Sequence, residues 1–391
     1  MCDGCENMAK LTLYFATNRK HEGKDRWHPD SYGTKFSDDG MENLRFGFVS
    51  VDADDKKIDK CLNADMKDCG AGDGISLGDY LAGCAESARI EAYREAISAD
   101  IAEVEQKNAK LGSKGMFADV MSDMEKSSDV LIYIHGFNVS WFSAVGYALA
   151  LQIMLRNART RDPEQDVLVV LFTWPSDGMA LPWASYKSDR SEATGSGAAV
   201  GRAFLKARDF LAGLRDRAKK GGKELCGQDI HLLCHSMGNY LLQSALARTF
   251  DFTPGNTLPR LFEHVFLCAP DVDDSALEPG QALAQVDQVA RNVTVYHNRG
   301  DKAMVISDYT KGNPERLGGS GAAHPALLHN KVHQVECTPI VHDFIQHSYY
   351  LTGNVNADIR ASIDGWEQDD SRRVRERNAT LNNVWVMKKQ Q

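Results

Sequence analysis

From residue 130 onward, short apolar runs alternate with longer stretches in which apolar positions recur at helical spacing. The runs at 130–134, 167–174, 230–234, 264–268, 293–297 and 331–335 read as strands, and 141–156, 191–214, 237–249, 281–289 and 355–363 read as helices. Val130-Leu131-Ile132-Tyr133-Ile134 has no polar alternation, which fits a strand covered on both faces. Strands alternating with helices predict an α/β fold with a doubly wound, mostly parallel sheet and helices on both faces. The first third is less regular. Segments 11–16 and 44–51 read as strands, 21–40 and 56–83 as polar, Gly/Asp-rich irregular stretches, and 85–107 and 117–125 as helices. The expected organisation is a flexible 1–10, one domain over 11–364 (11–129 preceding a core of 130–364), and a charged, solvated tail over 365–391. There are no internal repeats.

Composition narrows the function. The 391 residues suffice for a large buried core, and the net charge of −9 argues against a nucleic-acid partner, which demands clustered Lys and Arg. No uncharged apolar run of about 18 residues occurs, so no membrane span is expected. The start Met1-Cys2-Asp3-Gly4-Cys5-Glu6 lacks a basic segment followed by an apolar one, so no standard signal peptide is expected. Nine cysteines, an odd number spread along the chain, fit a reduced, cytoplasmic protein. Cys2-x-x-Cys5 has no partnering CxxC, so no metal is expected there, and the chemistry below calls for no metal or organic cofactor.

That chemistry starts at Ser236. Ile230-His231-Leu232-Leu233-Cys234-His235-Ser236-Met237-Gly238-Asn239 is an apolar run that stops at a serine with a small residue two positions to either side. A nucleophile elbow has this shape: a strand ends, a strained turn lifts Oγ above the sheet, and a helix begins. Small neighbours let strand and helix pass closely, although Cys234 stands where glycine is usual. The competing reading is a buried strand followed by a helix-capping serine. About one hundred residues upstream, the strand ending at Ile134 breaks at His135-Gly136-Phe137-Asn138, ahead of a helical segment.

Several strings resemble one known family. Ile132-Tyr133-Ile134-His135-Gly136-Phe137-Asn138, Phe172-Thr173-Trp174-Pro175-Ser176-Asp177-Gly178 and Tyr186-Lys187-Ser188-Asp189 are similar to the bacterial α/β-hydrolases of domain of unknown function 900. Tyr14-Phe15-Ala16-Thr17-Asn18-Arg19 is similar to that family's opening, and the resemblance spans roughly residues 11–359. It implies an α/β-hydrolase sheet and a Ser-His-Asp hydrolase, most readily an esterase acting on a small-molecule ester. On this fold the loop after His135-Gly136 and the residue after the nucleophile supply oxyanion-hole amides, here those of Phe137 and Met237. His135, Gly136, Trp174, Trp183 and Tyr186 are then expected to wall the substrate pocket.

The triad order on this fold is Ser, acid, His. Asp301, in Asn298-Arg299-Gly300-Asp301 just past a strand, is the preferred acid, with Asp271 in Cys268-Ala269-Pro270-Asp271 as the alternative. His347, in a His-Ser-Tyr string resembling the family's tail motif, is the preferred base, with His342 in reserve; His324, His329 and His333 lie in or before the last strand. Thioesterase, amidase or acyltransferase chemistry would use the same groups. An inactive hydrolase fold serving as a binding module is the reading from another class.

Overall fold

The computed structural model describes residues 8–95, 110–124, 128–158, 166–176, 182–221, 228–255, 257–304, 315–341 and 346–389. Its strands in chain order are β1 (Met8–Thr17), β2 (Arg19–Glu22), β3 (Ser31–Phe36), β4 (Arg45–Asp54), β5 (Arg89–Ala92), β6 (Ser128–Ile134) and β7 (Asp166–Thr173). They continue as β8 (Ile230–His235), β9 (Phe262–Cys268), β10 (Ala290–His297), β11 (Val332–Glu336), β12 (Arg375–Arg377) and β13 (Val384–Met387). All but β2 and β3 form one 11-stranded sheet in the order β12-β13-β11-β10-β9-β8-β6-β7-β1-β4-β5. The pairings from β1–β7 through to β11–β13 are parallel, and antiparallel pairs occur only toward the edges, at β1–β4, β4–β5 and β12–β13. The sheet is thus mostly parallel, as its apolar runs predict.

Side-chain alternation splits the core. Leu131 and Tyr133 of β6 join an apolar cluster on one face with Leu149 and Ile359, while Val130 and Ile134 join Leu232, Leu241 and Phe204 on the other. The helix Trp141–Asn157 covers the first face, and its N-cap Ser140 accepts the Ser143 amide. The second face is covered by the helices Pro182–Gly221 and Gly238–Phe252, which pack on each other where a Cβ on Gly197 would lie 2.5 Å from Ser244. From β6 the chain runs outward to β7 and returns to β8 on the other side of β6. That reversal is a switch point at β6 and β8, and ligands of such sheets usually bind at the carboxyl ends of the strands flanking it.

The structure corrects the sequence reading in the less regular regions. Segment 21–40 is not loop alone: β2 and β3 pair as a small antiparallel sheet. Within 56–83 lie the helices Asp55–Leu62 and Gly74–Ala85, capped by the carboxylates of Asp54 and Asp73. The helix expected over 85–107 gives way at its start to β5, an edge strand on β4, and 96–109 lies outside the described residues. Only Val286–Val289 of 281–289 is helical. Residues 8–10, expected to be flexible, belong to β1. The described residues 365–389 are not the expected solvated tail either. Parallel pairing of β13 with β11 extends the sheet, Trp385 is buried, and the guanidinium groups of Arg373 and Arg375 reach the buried Asp358 at 2.8 and 2.9 Å.

Candidate active site

Ser236 follows the last residue of β8 and has φ +53°, in the left-handed region that a side chain enters only under constraint. Its backbone is fixed on both sides. The Ser236 amide donates to Cys268 C=O at 2.9 Å, and its carbonyl accepts the amides of Asn239 (3.0 Å) and Asp271 (3.2 Å). The buried Asn239 side chain adds bonds from Nδ2 to the carbonyls of Cys234 and Ser236, both at 3.0 Å. The helix Gly238–Phe252 starts at once, and it can start there because Gly238 has no side chain: a Cβ would lie 2.7 Å from the His135 carbonyl. Gly136 is confined in the same way, since its Cβ would lie 2.7 Å from Ser236 Cβ. The loop leaving β6 therefore lies directly on the elbow.

At the end of β10 the chain turns through Asn298 to Asp301, whose amide donates to Asn298 C=O at 3.1 Å. Asp301 Oδ1 accepts the Ala303 amide at 3.0 Å, and Oδ2 accepts from His347 Nδ1 at 2.6 Å. Only 2% of the Asp301 side chain is exposed, against 18% for His347. A carboxylate in this position requires the proton on Nδ1, which leaves Nε2 able to accept one. His347 lies in the 3₁₀ turn Gln346–Leu351, and its carbonyl accepts from His235 Nε2 at 3.1 Å. The His235 ring packs between His347 and Tyr350, with centroids 4.6 and 4.8 Å away, and burial holds its imidazole far below the usual range, in the neutral form. His235 is bonded along the chain to Ser236, so the serine, the histidine and the acid share one end of the sheet.

The remaining candidates fall as follows. Asp271 is buried beside Arg316, 3.5 Å from its Nε, and the carboxylate against His347 is that of Asp301. His324 and His329 pair with Glu278 and Asp287, and His333 sits edge-on to Trp385; His342 lies outside the described residues. Met237 is buried beneath the elbow, and Phe137 sits in the β6 loop, partly buried against the second core cluster.

Of the expected pocket walls, His135, Gly136 and Trp174 are buried, with Gly136 pressed on Ser236. The Trp174 ring stacks on His135 at 5.3 Å, and its Nε1 donates to the His135 carbonyl at 3.1 Å. Burial and the nearby Arg19 lower the His135 imidazole to about 3, so it is neutral. Trp183 and Tyr186 fall near the start of the helix Pro182–Gly221, and their side chains lie outside the described residues. An apolar cavity of about 70 Å³ between the sheet and that helix, lined by Ile134, Phe172 and Phe204 among others, has neither Ser236 nor His347 in its wall. It is packing space of the core rather than part of the site. Among the described residues no three His, Cys, Asp or Glu side chains gather as metal ligands, and no helix is long and apolar enough to cross a membrane.

Sequence reasoning missed Asn239 and His235, which hold the elbow and the histidine loop. The signal for Asn239 was present, because an amide at the first turn of a helix characteristically bonds nearby backbone. His235 carried none beyond standing next to Ser236.

A mostly parallel sheet that switches direction at β6–β8, with a strained serine turn at the switch, defines the molecule as an α/β hydrolase. Residues 113–360 match the family described as alpha/beta hydrolase of unknown function (DUF900), and the chain belongs to that family. No curated protein matches it. Among solved structures it is similar to an esterase of Pyrobaculum calidifontis, at 12% identity and a TM-score of 0.29 over 61% of this chain and 76% of that one. It is also similar to an acylaminoacyl peptidase of Pyrococcus horikoshii, at 10% identity and 0.28 over 62% and 38%. A third likeness is to the phospholipase PlaB of Legionella pneumophila, at 15% and 0.24 over 54% and 38%. Scores this low leave the assignment to the family match and the topology.

Proposed function

We propose that the protein is a serine hydrolase of carboxylic esters. The observation that carries this reading is the 2.6 Å bond from His347 Nδ1 to the buried Asp301, at the same sheet end as a serine with φ +53°. Ser236 Oγ attacks the ester carbonyl carbon while His347 Nε2 takes its proton. The tetrahedral intermediate collapses, the C–O bond to the alcohol breaks, and His347 returns the proton to the leaving oxygen. Water, deprotonated by the same imidazole, then releases the acid from the acyl-enzyme. Asp301 holds the Nδ1–H tautomer and stabilises the imidazolium. The amides of Phe137 and Met237 bind the developing oxyanion, each contributing about 3 kcal/mol to the transition state by analogy with single-donor removals in other enzymes.

Purified protein assayed against p-nitrophenyl esters of graded acyl length tests this directly, with Ser236→Ala as the control. Turnover in the wild type and none in a variant with unchanged circular dichroism is the expected result. A wild type inert to every ester, or a Ser236→Ala variant of equal activity, would refute it.

A further inference from the structure

The opening string ending in Arg19 lies outside residues 113–360 that match the family, and the chemistry above gives it no role. Arg19 is nonetheless a fully buried cation, and two of its three nitrogens lead to the loop leaving β6. Nε donates to Thr173 Oγ1 at 2.9 Å, Nη1 to Gly33 C=O at 3.1 Å, and Nη2 to Val139 C=O at 2.7 Å. Thr173 in turn bonds His135 Nε2 at 2.9 Å. Val139 ends the loop that begins at Gly136. The same loop is gripped from the opposite side by Asp189, also fully buried, whose Oδ2 accepts the Asn138 amide at 3.0 Å and the Ser176 hydroxyl at 2.6 Å. Ser176 Oγ accepts the Val139 amide at 3.1 Å. Asn138, held at φ +58°, is the residue whose backbone this grip bends.

We propose that Arg19 and Asp189 are positioning residues that set the oxyanion-hole amide of Phe137, by clamping Asn138 and Val139 from two sides. This rests on the ester-hydrolase reading above. An isolated buried guanidinium is expensive, and burial lowers that of Arg19 to about 9 even with the Asp189 carboxylate nearby to favour its charge. An apolar pair of similar volume would serve packing as well or better. What charge adds is short, directional bonds to the backbone of Asn138 and Val139. Gly136, pressed on Ser236, cannot anchor its loop through a side chain, so the anchor has to come two and three residues later.

The test uses the full chain with Asp189→Asn, Arg19→Gln and Arg19→Lys, each checked by thermal melting. For each variant kcat and KM on a p-nitrophenyl ester are measured, together with Ki for an acyl trifluoromethyl ketone, which forms the oxyanion reversibly. A donor moved by about 1 Å lowers kcat by about 10- to 100-fold. The expected result is such a loss with KM within about twofold, Ki rising in proportion to the loss of kcat/KM, and partial recovery in Arg19→Lys relative to Arg19→Gln. Folded variants with wild-type kcat and Ki, or losses confined to KM, would overturn the clamp while leaving the hydrolase reading intact. A wild type with no esterase activity and no ketone binding would overturn both.

Discussion

Acid should unfold this protein well before its carboxylates are protonated, because the fold buries imidazoles in their neutral form. Burial lowers His135 and His264 to about 3 and His297 to about 4. In the unfolded chain each returns to about 6.5. The unfolded state therefore binds more protons below that value, and stability falls as pH falls through the window from about 6.5 down to the folded values. Between about pH 6.5 and pH 4.5 each histidine costs roughly 2 kcal/mol, and the three together roughly 7, comparable to the whole stability of an ordinary domain. The neutral His235 adds to the effect in the same direction. Asp358, held below the usual carboxylate range by Arg375 and Arg373 despite its burial, adds its own loss only below about pH 3.8, outside this window. Urea unfolding followed by circular dichroism at about pH 7, 6, 5 and 4.5 should show the midpoint dropping at each step. His264→Leu, remote from Ser236 on β9, should flatten the dependence by about 1 kcal/mol per pH unit. A midpoint constant from pH 7 to 5 would show that these imidazoles are not held neutral, and would refute the reasoning.

Other substitutions separate chemistry from structure. Asp301→Asn should lower kcat by about 10⁴ through the wrong histidine tautomer, with little change in melting temperature. Asp271→Asn should instead weaken the fold by about 1–3 kcal/mol, because the buried Arg316 loses one of two carboxylates and keeps Asp273, and the loss should appear in urea midpoints. Gly136→Ala should reduce kcat by at least about 100-fold, since its Cβ would sit 2.7 Å from Ser236 Cβ and push the two apart. Truncation after residue 364 removes β12 and β13 and strips Asp358 of both guanidinium partners. It should cost about 3–5 kcal/mol or more, seen as loss of soluble, cooperatively melting protein.

The half of the chain that carries the chemistry was legible because its strands are buried on both faces. A run such as Val130 to Ile134 has no other comfortable home, and a serine between compact residues after a similar run marks the switch in the sheet. The Gly-Asp turn after a strand singled out Asp301, and its carboxylate bonds His347. The errors share a different cause. Arg373 and Arg375 look like solvated charge until Asp358, on a helix 15 and 17 positions earlier, is brought beneath them. The helices Asp55–Leu62 and Gly74–Ala85 are short and begin at Asp caps, which in sequence resemble Asp-rich loop. Trp174 was expected on a pocket wall because aromatics often line pockets; it stacks on a neutral histidine instead, and no local pattern reveals that pairing.

Covalent labelling tests most directly whether Ser236 is the nucleophile. Protein treated with a fluorophosphonate at neutral pH, digested and sequenced by tandem mass spectrometry, should carry one phosphonyl group on Ser236. The adduct should be absent after prior denaturation and strongly slowed in His347→Ala. Labelling of another residue, or ester turnover that continues with Ser236 replaced by alanine, would contradict the account.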